Sequence, residues 1–381
     1  MRSAGPFVSS LFGDAGPAAA PSPRRQGSAA TRVLATEGSD AEVVAELIAT
    51  FKSMRGGLSD GTLTLTLDIG RLCSALRFVN RAFDDANRRD AALSVSSIAL
   101  VTALAELKNL QLDTTAPETV RIPPRSPLVP PLLVSLRILR IKGRQLAPLC
   151  AFVRANCRHS LQELAMAGSG DGGQPFDMSK LFSGSCAWPL LKRLVVRKCG
   201  VTSASSGGAV LRALPALRSI DLQHNALTEL CAAQYNSALA TLDLSFNRIA
   251  SLERANRRLG NVHSLVLSFN CIESTSGLEK LYGLRSLDLR HNLIAEIDDI
   301  TRLGALPVLE VLALAGNPIA WESHFRKRAV AALVAERGAD SSICVLDGRA
   351  VEHAGSRTPA QLRKVRASRL PLHFMRILLT V

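Results

Sequence analysis

Residues 277–314 read GLEKLYGLRSLDLRHNLIAEIDDITRLGALPVLEVLAL and contain one full copy of a motif and the beginning of the next copy. The motif is LxxLxLxxNxI, which runs from Leu284 to Ile294 and again, 25 residues later, from Leu309 to Ile319. Side chains alternate along a strand, so the second and third leucines of each copy point into a core and the residues between them face away. Repetition at this interval predicts a solenoid of stacked turns.

The motif continues towards the N-terminus at intervals of 22 to 30 residues. Its upstream copies begin at Leu107, Leu136, Leu161, Leu191, Leu217, Leu239 and Val262. The last three are regular, the Leu191 copy has Cys199 in place of the asparagine, and the first three are degraded. An asparagine at that position offers an amide and a carbonyl to backbone groups near the core, where each unpaired group costs about 1 to 3 kcal/mol. We therefore expect the asparagines to form a ladder through the stacked turns.

These patterns predict an α/β solenoid, or horseshoe, with a parallel concave sheet and helical N- and C-terminal caps. Ser39 and Glu42 have capping-box spacing before a helical run that we expect Gly56 and Gly57 to stop. A second helical run from Trp321 to Arg337 predicts the C-terminal cap, followed by a short strand and a turn at 344–348. The predicted divisions are a disordered leader 1–38, an N-terminal cap and irregular region 39–106, repeats 107–320, a C-terminal cap 321–352 and a basic tail 353–381.

The formal net charge of +14 raises the question of a nucleic-acid partner. More than half of it lies in the two ends of the chain, and arginine-rich, alanine-rich composition also follows from codon bias, so we do not expect nucleic-acid binding. The leader is rich in Ser and Arg and poor in acids, which also fits an organellar transit peptide. The basic tail is either a frayed end or an amphipathic helix for a partner or membrane surface.

Residue types that carry chemistry are scattered. The seven histidines have no spacing with acids or cysteines that predicts a metal or general-base site, and GSGDGG at 168–173 lacks the Lys-Ser/Thr of a phosphate cradle. We therefore predict no enzyme, cofactor, metal or small-molecule substrate. The eight cysteines form no CxxC pair, which favours a reducing compartment, and no apolar run is long enough for a membrane span. We expect a soluble, cytoplasmic monomer.

The candidate site is the concave face. Outward positions form one column of Asp221, Asp243, Val266 and Asp288, a second of Gln223, Ser245, Ser268 and Arg290, and a third of His224, Phe246, Phe269 and His291. We expect the three aspartates to face solvent, and the phenylalanines either to pack inward or to supply apolar contact. The predicted protein-binding residues are Asp221, Gln223, His224, Asp243, Phe246, Phe269, Arg285, Asp288, Arg290 and His291. A basic patch at Lys192, Arg193, Arg197 and Lys198 is predicted at the N-terminal end of this face.

The chain resembles the cytosolic leucine-rich repeats with a 22-residue period. Within that class it is similar to the repeat region of the serine/threonine kinase 11 interacting protein family, with nischarin and the regulatory subunit of protein phosphatase one more distant. The residues that carry the resemblance are GLEKLYGLRSLDLRHNLI at 277–294, LEVLALAGNPI at 309–319, HFRKRAVAAL at 324–333, VLDGRAV at 345–351 and SLRILRIKG at 135–143. The resemblance implies a non-catalytic scaffold for a kinase, phosphatase or other signalling protein. The alternative is an RNA-associated or axonemal adaptor of the same repeat class.

Overall fold

A computed structural model describes residues 30–32, 39–114, 122–123, 126–143, 146, 149–169, 175–182, 188–202, 211–231, 236–335 and 345–351. Within these residues thirteen strands form one sheet in chain order. They are β1 (Ala30–Arg32), β2 (Thr64–Asp68), β3 (Asn109–Thr114), β4 (Ile138–Gly143), β5 (Glu163–Ala167), β6 (Arg193–Arg197), β7 (Ser219–Asp221), β8 (Thr241–Asp243), β9 (Ser264–Val266), β10 (Ser286–Asp288), β11 (Val311–Ala313), β12 (Val345–Leu346) and β13 (Arg349–Ala350). Neighbours from β1 to β12 are parallel, and β13 returns antiparallel to β12.

Helices occupy several of the connections between strands. They are α1 (Asp40–Asp60), α2 (Ile69–Arg89), α3 (Val95–Glu106), α4 (Leu149–Asn156), α5 (Ser179–Phe182), α6 (Ala255–Arg258), α7 (Ile297–Gly304) and α8 (Phe325–Ala335), with a 3₁₀ turn at Pro318–Trp321. The connections between β7 and β11 hold only short helices of four and eight residues, α6 and α7, whereas the N-terminal connections hold helices of up to 21 residues. The predicted α/β solenoid with a parallel sheet is confirmed.

The leucines set the register of the sheet. Leu287 of β10 pairs with Leu265 of β9 and Leu312 of β11, and each is 0% exposed. The weaker copies follow the same rule, because Leu110 of β3 pairs with Leu139 of β4. Each turn thus buries its leucines against the turns on both sides, and one continuous apolar core runs along the solenoid.

The asparagine ladder is present. Asn270 Nδ2 donates to the carbonyl oxygens of Leu267 in its own turn (2.9 Å) and Leu244 in the preceding turn (3.0 Å), while its Oδ1 accepts from Ile249 N (3.0 Å). Cys199 takes part of this role, since its thiol lies 3.0 Å from the Arg197 oxygen and 3.8 Å from the Met166 oxygen. The expected substitution of Cys for Asn is therefore accommodated with fewer and weaker bonds.

The N-terminal helix begins as predicted and ends later. Ser39 and Glu42 form a reciprocal capping box at the start of α1. The prediction that Gly56 and Gly57 stop the helix is wrong, because α1 continues to Asp60 and ends at Gly61 with φ of 88°. A Cβ on Gly57 would lie 2.5 Å from Leu63 Cδ1, so glycine there permits a close approach. Helix α1 packs on α2 and α3, and the sheet continues past it to β2 and β1.

The C-terminal cap combines α8 with a hairpin. The predicted start of the helical run at Trp321 is wrong, because Trp321 ends the 3₁₀ turn, is 82% exposed, and the helix begins at Phe325. The predicted strand and turn are confirmed by β12 and β13, which Asp347 and Gly348 join. Asp347 Oδ1 accepts from the backbone nitrogens of Leu314 (2.6 Å) and Ala315 (2.9 Å), whereas the equivalent nitrogen of Leu289 in the preceding turn donates to the backbone oxygen of Ala313. The basic tail, and the leader apart from β1, lie outside the described residues.

Candidate functional site

The strand register brings the predicted acidic column together. Asp221 pairs with Asp243, Asp243 with Val266, and Val266 with Asp288 across four adjacent strands. The column lies on the concave face, which we define as the side of the sheet opposite the leucine core. The predicted alignment of these side chains is therefore confirmed.

The prediction that these aspartates face solvent is wrong. Asp221, Asp243 and Asp288 are 6%, 4% and 0% exposed. Each carboxylate turns along its own chain and accepts a hydrogen bond from the backbone nitrogen two residues ahead, at 3.2, 3.0 and 3.0 Å respectively. Each bond satisfies a backbone N–H just beyond the end of the strand, so the aspartates stabilise the backbone where the strands end.

The remaining carboxylate bonds hold longer side chains in place. Asp221 Oδ2 accepts from Arg197 Nε (2.9 Å), and Asp288 accepts from both Nε (3.0 Å) and Nη2 (2.8 Å) of Arg290. Asp243 accepts from the amide of Gln223 and from Ser245 Oγ. Burial, and then the nearby charge of Asp221, raise the pKa of Asp243. The column of aspartates is thus not an acidic surface, because its carboxylates are bonded to Arg197, Gln223 and Arg290.

The third predicted column forms one continuous stack of rings. His224, Phe246, Phe269 and His291 follow one another with ring centroids 4.1, 4.2 and 4.2 Å apart and interplanar angles of 15°, 9° and 18°. Phe246 is 39% exposed and Phe269 is 42% exposed. The alternative in which the phenylalanines pack inward is therefore wrong. We call these four side chains the ring column.

A left-handed backbone places each ring outside the core. The φ angles of His224, Phe246, Phe269 and His291 are 54°, 55°, 56° and 53°. Such angles cost a non-glycine residue roughly 1 to 2 kcal/mol, and the adjacent ladder asparagine stabilises them here. Gly316 takes the same place in the next turn with φ of 77°, and a Cβ there would lie 2.4 Å from His291 Nδ1. The ring of His291 therefore lies close to the backbone of Gly316, where any side chain would collide with it.

The other end of the ring column is basic. Lys198, with φ of 53°, occupies the equivalent position in the preceding turn, directly before Cys199. Burial lowers the pKa of His224, and the charges of Lys198 and Arg197 lower it further. The lowered pKa favours the neutral form of His224 at pH 7. A neutral imidazole can stack on Phe246 without the free-energy cost of removing a charge from water.

Other predicted site residues lie apart from the ring column. Arg285 precedes β10 whereas His291 follows it, so the two lie at opposite ends of the strand, and Arg285 Nη1 is 3.9 Å from Glu310 Oε1. Lys192 and Arg193 lie at the start of β6, and Arg197 and Lys198 lie at its end. Sequence reasoning missed Arg140 and Lys142, which occupy outward positions on β4; the alternation of ILRIKG was the available signal.

No group of three or more His, Cys, Asp or Glu in the described residues could hold a metal ion. Among the helices in the described part of the chain, none combines the length and hydrophobicity required to cross a membrane. Within the described ranges six cysteines are free thiols, of which Cys271 is exposed and the other five are buried.

Residues 260–302 match the family model described as leucine rich repeats (2 copies). The serine/threonine-protein kinase 11-interacting protein of Homo sapiens is 30% identical over 214 residues, which are 54% of this chain and 18% of the human protein. The protein of the same name from Gallus gallus is 29% identical over 189 residues, 42% of this chain and 17% of that protein. The geranylgeranyl transferase type-2 subunit alpha of Mus musculus is 33% identical over 112 residues, 29% of this chain and 20% of the subunit.

Among solved structures, an internalin from Listeria monocytogenes has a TM-score of 0.44 and 20% identity, with coverage of 67% of this chain and 70% of the internalin. A leucine-rich-repeat protein from Leptospira interrogans has a TM-score of 0.40 and 18% identity, with coverage of 64% and 62%. The chain spans less than a fifth of the human and chicken relatives that it matches. It therefore carries leucine-rich repeats in an open parallel solenoid, and over about half its length it is similar to the serine/threonine-protein kinase 11-interacting protein.

Proposed function

We propose that this chain is a non-catalytic scaffold that binds a signalling protein through the ring column and the side chains beside it. The observation that carries the proposal is the pair of stacked, half-exposed phenylalanines at the centre of that column. Aromatic side chains, including phenylalanine, are enriched in the cores of protein interfaces relative to the rest of the protein surface. The rings are already ordered by stacking, so little side-chain entropy opposes binding.

The stack determines how a partner would make contact. Both faces of Phe246 and Phe269 are covered by neighbouring rings, so the edges of these two rings are the part open to solvent. Ring edges carry partial positive charge and favour the face of another aromatic ring. Arg290 and Gln223 lie in the adjacent column, fixed by Asp288 and Asp243, and provide donors beside the apolar contact. Of the predicted binding residues, the aspartates orient side chains and the rings and Arg290 make contact.

The partner class follows from the named relatives and stays part of the proposal. The human relative is named for its interaction with a serine/threonine-protein kinase, and its similarity covers more than half of this chain. We therefore assign a protein kinase as partner, with a phosphatase as the alternative. The free thiols of the described cysteines support a reducing, cytoplasmic setting.

Affinity capture with quantitative mass spectrometry tests the proposal. The test variant is Phe246→Asn with Phe269→Asn, because asparagine tolerates the left-handed backbone and removes only the rings. The matched control is Tyr282→Asn, which removes a 61% exposed ring outside the column. We expect the wild-type chain and the control to recover the same kinase or phosphatase and the double variant to lose it. Equal recovery by all three chains would refute the ring column as the binding site.

A further inference from the structure

Strands β4, β5 and β6 form a shallow trough on the concave face. The register places Ala165 of β5 between Arg140 and Val195, and Ala167 between Lys142 and Arg197. The outward positions of β5 are Glu163, Ala165 and Ala167, so the floor has two alanines beside Glu163, and longer side chains lie on the neighbouring strands. We call this surface the basic trough, with walls of Arg140, Lys142, Arg193 and Arg197 and a floor of Ala165 and Ala167.

The charge of the basic trough is only partly balanced. Arg140 Nη2 lies 3.7 Å from Glu163 Oε1, and Arg197 pairs with Asp221. Lys142 and Arg193 are exposed, and neither forms an ion pair with any of the residues that the structure describes. Asp113 lies opposite Lys142 on β3, and Glu163 lies opposite Arg193 on β5. The trough therefore keeps a small excess of positive charge, and each wall carries one cation that forms no ion pair among the described residues.

We infer that the basic trough binds an acidic segment of a partner protein in an extended conformation. Adjacent strands lie about 4.8 Å apart, so the two walls are separated by roughly 10 Å. Successive side chains of an extended chain point to opposite sides. If the bound segment lies along β5, its acidic side chains would contact the basic residues of β4 and of β6 alternately. The small side chains of Ala165 and Ala167 leave space for the backbone of the bound segment. Arginine also favours carboxylates through paired hydrogen bonds.

A protein segment fits this surface better than a single-stranded nucleic acid. Binding of single strands without sequence preference depends on aromatic side chains on which the bases stack. Strands β4, β5 and β6 contain no aromatic residue, since they read ILRIKG, ELAMA and RLVVR. The site is also separate from the ring column, so it extends the proposed function to a second contact of different chemistry.

Fluorescence anisotropy of fluorescein-labelled decaglutamate tests this inference on the full chain. The test variant is Lys142→Gln with Arg193→Gln, and the control is Arg257→Gln with Lys280→Gln, which removes the same charge from exposed positions outside the sheet. We expect the test variant to bind about tenfold more weakly and the control to match the wild type. A labelled decauridylate RNA is measured in parallel at physiological salt and at about 0.05 M salt, where exposed charges are less screened.

A third variant keeps the result interpretable if the double substitution disturbs folding. Ala167→Glu places a carboxylate between Lys142 and Arg197, so the chain supplies its own acidic group and we expect loss of decaglutamate binding with the fold retained. Equal weakening in the test and control variants would show a bulk-charge effect and overturn the inference. Tighter binding of the RNA than of decaglutamate would also overturn it and would assign the trough to nucleic acid.

Discussion

The asparagine ladder predicts how much stability one side chain contributes to the stacked turns. In Asn270→Ala the backbone nitrogen of Ile249 loses the acceptor at 3.0 Å, and Ile249 is 0% exposed. A buried donor without a partner costs about 1 to 3 kcal/mol. The carbonyls of Leu244 and Leu267 also lose one donor each.

The ladder limits that second loss. The Leu244 oxygen still accepts from Asn247 Nδ2 (2.9 Å), and the Leu267 oxygen still accepts from Asn292 Nδ2 (3.0 Å). Each carbonyl thus keeps one bond, and we assign the two lost bonds about 0.5 kcal/mol apiece, the low end for a net hydrogen bond. The expected decrease in the free energy of unfolding is therefore about 3 kcal/mol, most of it from the Ile249 nitrogen.

Urea unfolding followed by circular dichroism measures this decrease, provided that the m-value stays constant. Asn270→Cys should lose about 1 kcal/mol less than Asn270→Ala, because the thiol of Cys199 shows that sulfur can reach a carbonyl of the same and of the preceding turn. The control is Asn261→Ala, an exposed position before β9, which should change stability by less than about 0.5 kcal/mol. Equal losses for Asn270→Ala and Asn261→Ala would refute the reasoning.

Two further predictions concern buried charge and pH. Asp243→Asn should leave the free energy of unfolding at pH 7 unchanged or higher, because burial and the charge of Asp221 raise the pKa of Asp243 and so disfavour its charged form. Asp288→Asn, measured by the same urea unfolding, should lower the free energy of unfolding by about 1.5 to 3 kcal/mol, because it weakens the bonds to Arg290. Because the pKa of His224 is lowered from 6.5, the unfolded chain takes up a proton before the folded chain does, and stability should fall below about pH 6.5. Urea midpoints of His224→Asn should show a smaller drop between neutral and acidic pH, and an unchanged drop would contradict the cause given.

The leucine register could be predicted from the sequence because two independent periods agree. Alternation within a strand sets which leucines face the core, and the repeat interval sets which leucine meets which in the next turn. A shift of one residue at Leu287 would expose the whole set. This constraint also fixed the asparagine positions, since each lies at a constant distance from its strand.

Exposure on the concave face could not be predicted in the same way. The alternation of side chains predicts that Asp243 points outward, but it does not predict that the carboxylate accepts a hydrogen bond from the backbone nitrogen of Ser245 and is thereby buried. The outward rings of Phe246 and Phe269 depend on a positive φ, which sequence patterns show only where glycine occurs. Gly316, at the equivalent position of the next turn, was that signal.

The hairpin of β12 and β13 also determines where the sheet can stop. A parallel solenoid has an open edge at each end, and a second copy could in principle continue it head to tail. The final described strand runs in the opposite direction, is two residues long and carries the exposed Arg349, so it offers few backbone groups to an incoming strand and a charge beside them. This end of the sheet is therefore poorly suited to head-to-tail pairing with a strand of a second molecule.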